Sequence, residues 1–163
     1  MCDSLRGGLM AALAALALVP AAAPADDGPR YAEGSILFQA NCAVCHRANG
    51  AGNPGLAPPV TVSAPCFIEM KEGRRQLAMT VLYGMYGDIV VGERHYNFKM
   101  PEFTRFDDAT LAAVLNFVVF DLGHARAEAA PIDAAEIAAE RSKAIDGAQV
   151  RAHRLDVLSG LPP

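Results

Sequence analysis

The chain has 163 residues, enough for one compact domain with short appendages and too few for a second full core. Hydrophobic residues make up 52% of it, yet aromatics reach only 7% and tryptophan is absent, so side chains alone supply a thin core. A formal net charge of −4 lacks the basic balance of a nucleic-acid-binding domain; it speaks for solubility, and no nucleic-acid partner is expected.

Residues 1–25 have the three parts of a secretory signal: Arg6 in a short leading region, an apolar run from Leu9 to Val19, and small residues ending Ala23-Pro24-Ala25. Cleavage is expected after Ala25, giving an exported, periplasmic protein. The alternative is an uncleaved N-terminal membrane anchor, because Gly7 to Ala25 carries no charge. No later segment is long and apolar enough to span a bilayer, so no stable membrane insertion is expected once the signal is removed. Cleavage also removes Cys2, leaving Cys42, Cys45 and Cys66.

Residues 26–30 read as a polar leader, and a single domain is expected over 31–123. Tyr31, Gly34, Phe38 and Cys42 recur at helical steps and place the first cysteine at a helix end. From Asn49 to Pro65 the chain is rich in glycine, asparagine and proline and reads as an irregular loop wrapped around something. Arg74 to Tyr83 reads as a short helix, apolar on most faces and stopped near Gly84. Ile89-Val90-Val91 and Arg94-His95-Tyr96, separated by Gly92-Glu93, match a β-hairpin. The strongest helix runs from about Asp108 to Leu122, with Asp107 as N-cap and Gly123 as stop. Residues 124–163 read as a linker and a helical extension. Asp133 and Glu136 open an alanine-rich helix to about Ile145, and 147–163 are weakly patterned.

Cys42, Cys45 and His46 form a C-x-x-C-H motif, the pattern of covalent haem attachment. Residues three and four apart share one helical face, so two thiols and an imidazole can meet one planar ligand, the thiols adding to its vinyl groups and His46 supplying an axial nitrogen. A thioredoxin-like redox pair needs a βαβ setting, and a structural zinc site needs further ligands at finger-like spacing; neither context is present. An electron carrier needs a second axial ligand, usually Met or His. Met79 and Met85 lie on or at the end of a helix where packing explains them, whereas Met100 precedes Pro101, which holds it in an extended conformation. Met100 is therefore the expected ligand, and Cys66 is read as a small buried hydrophobe.

From about Tyr31 to Gly123 the sequence resembles the class I c-type cytochromes. The resemblance rests on Gly34, Phe38, the attachment motif, the loop Gly55-Leu56-Ala57-Pro58-Pro59-Val60, Met100-Pro101 and the last helix with Leu111 to Val118. It implies an all-α fold of three to five helices around one covalently attached haem c, with a small β-hairpin and a C-terminal helical extension. It also implies that the first and last helices cross near Gly34 and Phe117, and that a loop proline carbonyl, that of Pro58, bonds the axial His46. A narrower resemblance over Tyr83 to Phe103, with Gly87-Asp88-Ile89-Val90-Val91-Gly92 and Tyr96-Asn97, is to the cytochrome subunits and haem domains of bacterial quinoprotein alcohol dehydrogenases.

The expected function is single-electron transfer in the respiratory chain, with no catalytic residues. A quinoprotein dehydrogenase is expected as donor and a cytochrome or oxidase as acceptor. The alternatives are a haem enzyme or sensor with an open sixth position, or a fixed electron-transfer subunit of a dehydrogenase complex docked through the helix at Asp133. Among the basic residues near the motifs, Lys71, Arg74, Arg75, Arg94, Lys99 and Arg105 are candidates for pairing with haem propionates or steering an acidic partner.

Overall fold

The computed structural model describes residues 28–160. The signal segment 1–25 and the cleavage site after Ala25 lie outside the described residues. No described helix is long and apolar enough to cross a membrane.

The first helix, α1 (Ala32–Asn41), lacks a side-chain cap of its own. Its start is held from a distance: the Asp121 carboxylate accepts from the backbone N–H groups of Arg30 and Tyr31 at 2.8 and 2.9 Å. Phe38 is buried from α1, its ring 5.5 Å from that of Phe117. A one-turn helix, α2 (Ala43–His46), follows at once and carries the motif.

The stretch read as irregular loop ends in a helix instead, α3 (Val60–Phe67), with Pro65 inside it. Pro59 ends the extended approach, and Pro65 forfeits only one intrahelical bond in so short a helix. Burial of Ala64 and Phe67 against α4 (Lys71–Tyr83) and the end of the last core helix offsets that loss. Gly73 makes the α3–α4 contact possible, because a Cβ there would lie 2.2 Å from the Phe67 carbonyl oxygen. After α4 come β1 (Ile89–Val91) and β2 (Arg94–Tyr96), antiparallel with Ile89 opposite Tyr96 and Val91 opposite Arg94.

Helix α5 (Asp108–Asn116) is capped by Asp107, whose side chain accepts from the Thr110 N–H at 2.7 Å. Its continuation, Phe117–Leu122, is wound as a π-helix, and this widened turn carries Asp121. Helices α1 and α5 pack across each other at Gly34, as the family resemblance implied.

The C-terminal region contributes two helices rather than one. The first, α6 (Ala134–Arg141), opens with the expected capping box of Asp133 and Glu136 but ends short of Ile145. The weakly patterned tail forms α7 (Gly147–Ser159), opened by a second capping box of Asp146 and Gln149. Both lie on α4. Arg74 donates to both Glu136 oxygens at 2.6 Å and to the carbonyls of Ala130 and Pro131, while Arg75 pairs with the buried Glu140 at 3.0 Å. Two of the basic residues considered for haem or partner contacts are thus committed to holding α6. That helix, read from sequence as a docking arm, is packed against α4 and α5.

The architecture is mostly helical with one two-stranded hairpin, consistent with the class I cytochrome c fold. Among the described residues, seven α-helical elements replace the expected three to five: α2 and α3 are short pieces of what read as helix end and loop, and α7 is new.

Candidate haem site

The motif sits where α1 breaks into α2. The backbone N–H groups of Cys45 and His46 both donate to the Cys42 carbonyl, turning the three side chains within a single coil. Cys42 and Cys45 are half-buried, His46 is buried, and Val44 between them is 80% exposed. No disulfide joins Cys42 to Cys45.

His46 is oriented through its second nitrogen. Nδ1–H donates to the Pro58 carbonyl oxygen at 2.9 Å. A carbonyl only accepts, so the proton is on Nδ1 and Nε2 carries the lone pair a metal requires. Desolvation by burial holds the His46 pKa below its ordinary value, against the opposing pull of the Pro58 hydrogen bond. Burial thus favours the uncharged ring, the ligating form. The Pro58 carbonyl is itself aimed by close packing: a Cβ at Gly52, where φ is +75°, would lie 2.5 Å from the Pro58 carbonyl carbon.

The loop between the hairpin and α5 brings Met100 to the same place. Met100 N–H donates to the Met85 carbonyl at 2.8 Å, and Met85 N–H donates back to the Met100 carbonyl at 3.2 Å. This two-bond bridge requires Gly84, where φ is +67° and a Cβ would lie 2.3 Å from the Met100 carbonyl oxygen. Residues paired in this way project their side chains to the same side of the ladder. Met85, which the sequence assigns to helix packing, therefore reaches the site beside Met100.

An apolar cleft, open to solvent, lies among these elements and is lined by Cys42, His46, Pro58, Met85 and Met100. A smaller neighbouring cleft shares His46, Pro58, Met85 and Met100 and adds Cys45. Met79, though buried, lines neither. The larger cleft is walled by Phe38, Phe67, Leu77, Val81, Leu115 and Val118, and no carboxylate of the described residues lines it. Two thiols, a pre-oriented imidazole and a thioether around an apolar cleft fit haem c, whose porphyrin faces need that lining.

The competing chemistries fit less well. Burial, the largest effect, pushes the Cys42 thiol up to about 11, although Arg105 opposes it. A dithiol redox centre needs a lowered thiol pKa. Among the described residues, no group of three or more His, Cys, Asp or Glu could hold a metal ion, so the cysteines lack the partners of a zinc site. Cys66 is exposed on α3, contrary to its reading as a buried hydrophobe, and is absent from both clefts' linings.

One lining residue escaped the sequence reading altogether. Arg154 on α7 reaches the larger cleft from the C-terminal region. Its signal lay in the spacing Val150, Arg154, Val157: a charged residue on the one stripe of α7 that is buried.

Comparison with known proteins shows which family the chain matches. Residues 31–119 match the family model described as Cytochrome c. The chain is 35% identical over 125 residues to cytochrome c-552 of Thermus thermophilus, covering 76% of this chain and 95% of that protein. A second cytochrome c-552, from a named strain of the same organism, is likewise 35% identical over 125 residues, covering 76% of this chain and 84% of the relative.

Proposed function

The chain belongs to the cytochrome c family and is an electron-transfer protein with covalently held haem c, and on that premise we propose that it is an exported, periplasmic single-electron carrier with His46 and Met100 as axial ligands. The observation that carries the ligand assignment is that His46, its Nδ1 tied to Pro58, and Met100 line the same two clefts.

The bound haem supplies an iron that changes by one electron between ferric and ferrous. The chain's own groups set the conditions. Cys42 and Cys45 would hold the haem through two thioether bonds, at the start and within the turn of α2. His46 offers Nε2, and the Pro58 carbonyl holds that ring in one tautomer and one orientation. Met100 offers a thioether sulfur from a segment pinned by the Met85 bridge and followed by Pro101. With His46 and Met100 both holding the iron, methionine would bias the potential upward and no position would be left for substrate. The apolar walls of the larger cleft would flank the haem faces.

Export follows from the signal-like residues 1–25. The donor is a quinoprotein dehydrogenase of the alcohol type and the acceptor a cytochrome or terminal oxidase. The support for the donor is the resemblance over Tyr83 to Phe103.

The experiment is the intact mass of the exported protein combined with carbon monoxide binding by its ferrous form. A start at Asp26 plus one haem, with no carbon monoxide adduct near neutral pH, is expected. Unmodified Cys42 and Cys45, or a ready adduct, contradicts the reading.

A further inference from the structure

We propose that Arg154 and Ser63 form the seat of a haem propionate, making the C-terminal helix α7 part of the haem site. The inference rests on haem occupying the cleft described above.

The buried polar side chains of the described residues are otherwise provided for. His46 has Pro58, Asn116 has the backbone of Ile132, Glu140 has Arg75 and Lys143, and Gln76 has Thr80 and His153. Arg154 is the exception. It is 7% exposed, Nη2 donates to the Ser63 hydroxyl oxygen at 3.0 Å, and the guanidinium lies 5.2 Å from the centroid of the Phe67 ring. Its Nε is buried with no acceptor, and no carboxylate of the described residues pairs with it. Burial lowers its pKa, but a guanidinium stays protonated in proteins. A buried cation without an anion is strongly disfavoured by desolvation, which points to a counter-ion for Arg154.

The cleft that Arg154 lines identifies that anion. Among the described residues it has no acidic group, and Arg154 is the one Lys or Arg on its wall. Haem c brings two propionate carboxylates. Ser63 lines the same wall; its oxygen accepts from Arg154, which leaves its hydroxyl hydrogen free to donate. An arginine fork with an adjacent hydroxyl donor suits a carboxylate. No other charged group of the described residues competes for Arg154 nearby: His153, the preceding residue on α7, turns to Gln76 and Glu72, and α3 offers only Ser63 and the Phe67 ring.

The test follows the reduction potential and the propionate NMR resonances of the haem-loaded protein from about pH 4 to about pH 8 in the parent, Arg154→Leu, Arg154→Lys and Ser63→Ala. In the parent, one propionate is expected to stay ionised below the usual carboxylate range. In Arg154→Leu its titration should move up by at least about one pH unit, with a potential that falls as pH rises through it, and Arg154→Lys should largely restore the parent profile. Ser63→Ala should give a smaller shift of the same sign. An unchanged Arg154→Leu profile, or two propionates that both titrate ordinarily in the parent, overturns the proposal. The parent measurement decides even where a variant fails to fold. A ferric methionine-to-iron band retained throughout separates failure here from failure of the axial assignment.

Discussion

A methyl group placed on Gly34 would lie 2.0 Å from the backbone carbonyl oxygen of Ala113, so α1 and α5 touch backbone to backbone. The same methyl would also meet Phe117 Cβ at 3.0 Å. Because α1 runs directly into the attachment motif, this crossing sets where Cys42 and His46 stand. Gly34→Ala must part the two helices and is expected to cost about 3 kcal/mol or more, read as a lower denaturant midpoint of the haem-loaded protein. A change within about 0.5 kcal/mol would show that the crossing has slack.

Asn116 is the polar lock between the core helix and the C-terminal region. Its side-chain oxygen accepts from the Ile132 N–H at 2.8 Å and its amide donates back to the Ile132 carbonyl at 2.9 Å, all in buried surroundings. Asn116→Leu leaves both backbone groups unpaired and is expected to cost about 2–4 kcal/mol. Hydrogen exchange at the Ile132 amide should rise in the variant well before the attachment helix exchanges.

Acid is expected to loosen α6 through Glu136. The Arg74 guanidinium, bonded to both of its oxygens, holds the Glu136 carboxyl below its ordinary value of 4.5. A carboxyl whose pKa is depressed by folding adds stability that is fully present above the unfolded value and is lost as pH falls through the folded one. Thermal melts should therefore show an acid limb below about pH 4.5 that is shallower in Glu136→Gln. With the pair partly solvent-exposed, the loss at neutral pH should be near 1 kcal/mol, about the ceiling for such pairs.

Much of this is legible in the sequence. C-x-x-C-H, the Asp107 cap with Gly123 as stop, and the Gly92-Glu93 turn between Ile89–Val91 and Arg94–Tyr96 are local signals, and local signals survive folding. Helix α3 was hidden because Pro58, Pro59 and Pro65 read as loop, while what holds it is tertiary burial of Ala64 and Phe67. Helix α7 was hidden because its polar residues blur the apolar stripe, although Asp146 and Gln149 spelled the same capping box that revealed α6. Met85 reads as helix packing because its chain position is a helix end, and the bridge to Met100 is what carries it to the cleft.

That proximity makes the axial assignment sharply testable, since two thioethers from paired residues line one cleft and only one is assigned to iron. The measurement is the methionine-to-iron charge-transfer band of the ferric, haem-loaded protein in Met100→Ala and Met85→Ala. Loss of the band in Met100→Ala, with carbon monoxide binding gained in the ferrous form, and its retention in Met85→Ala is the predicted result. A band that survives Met100→Ala, or that disappears only in Met85→Ala, would contradict the account of the site.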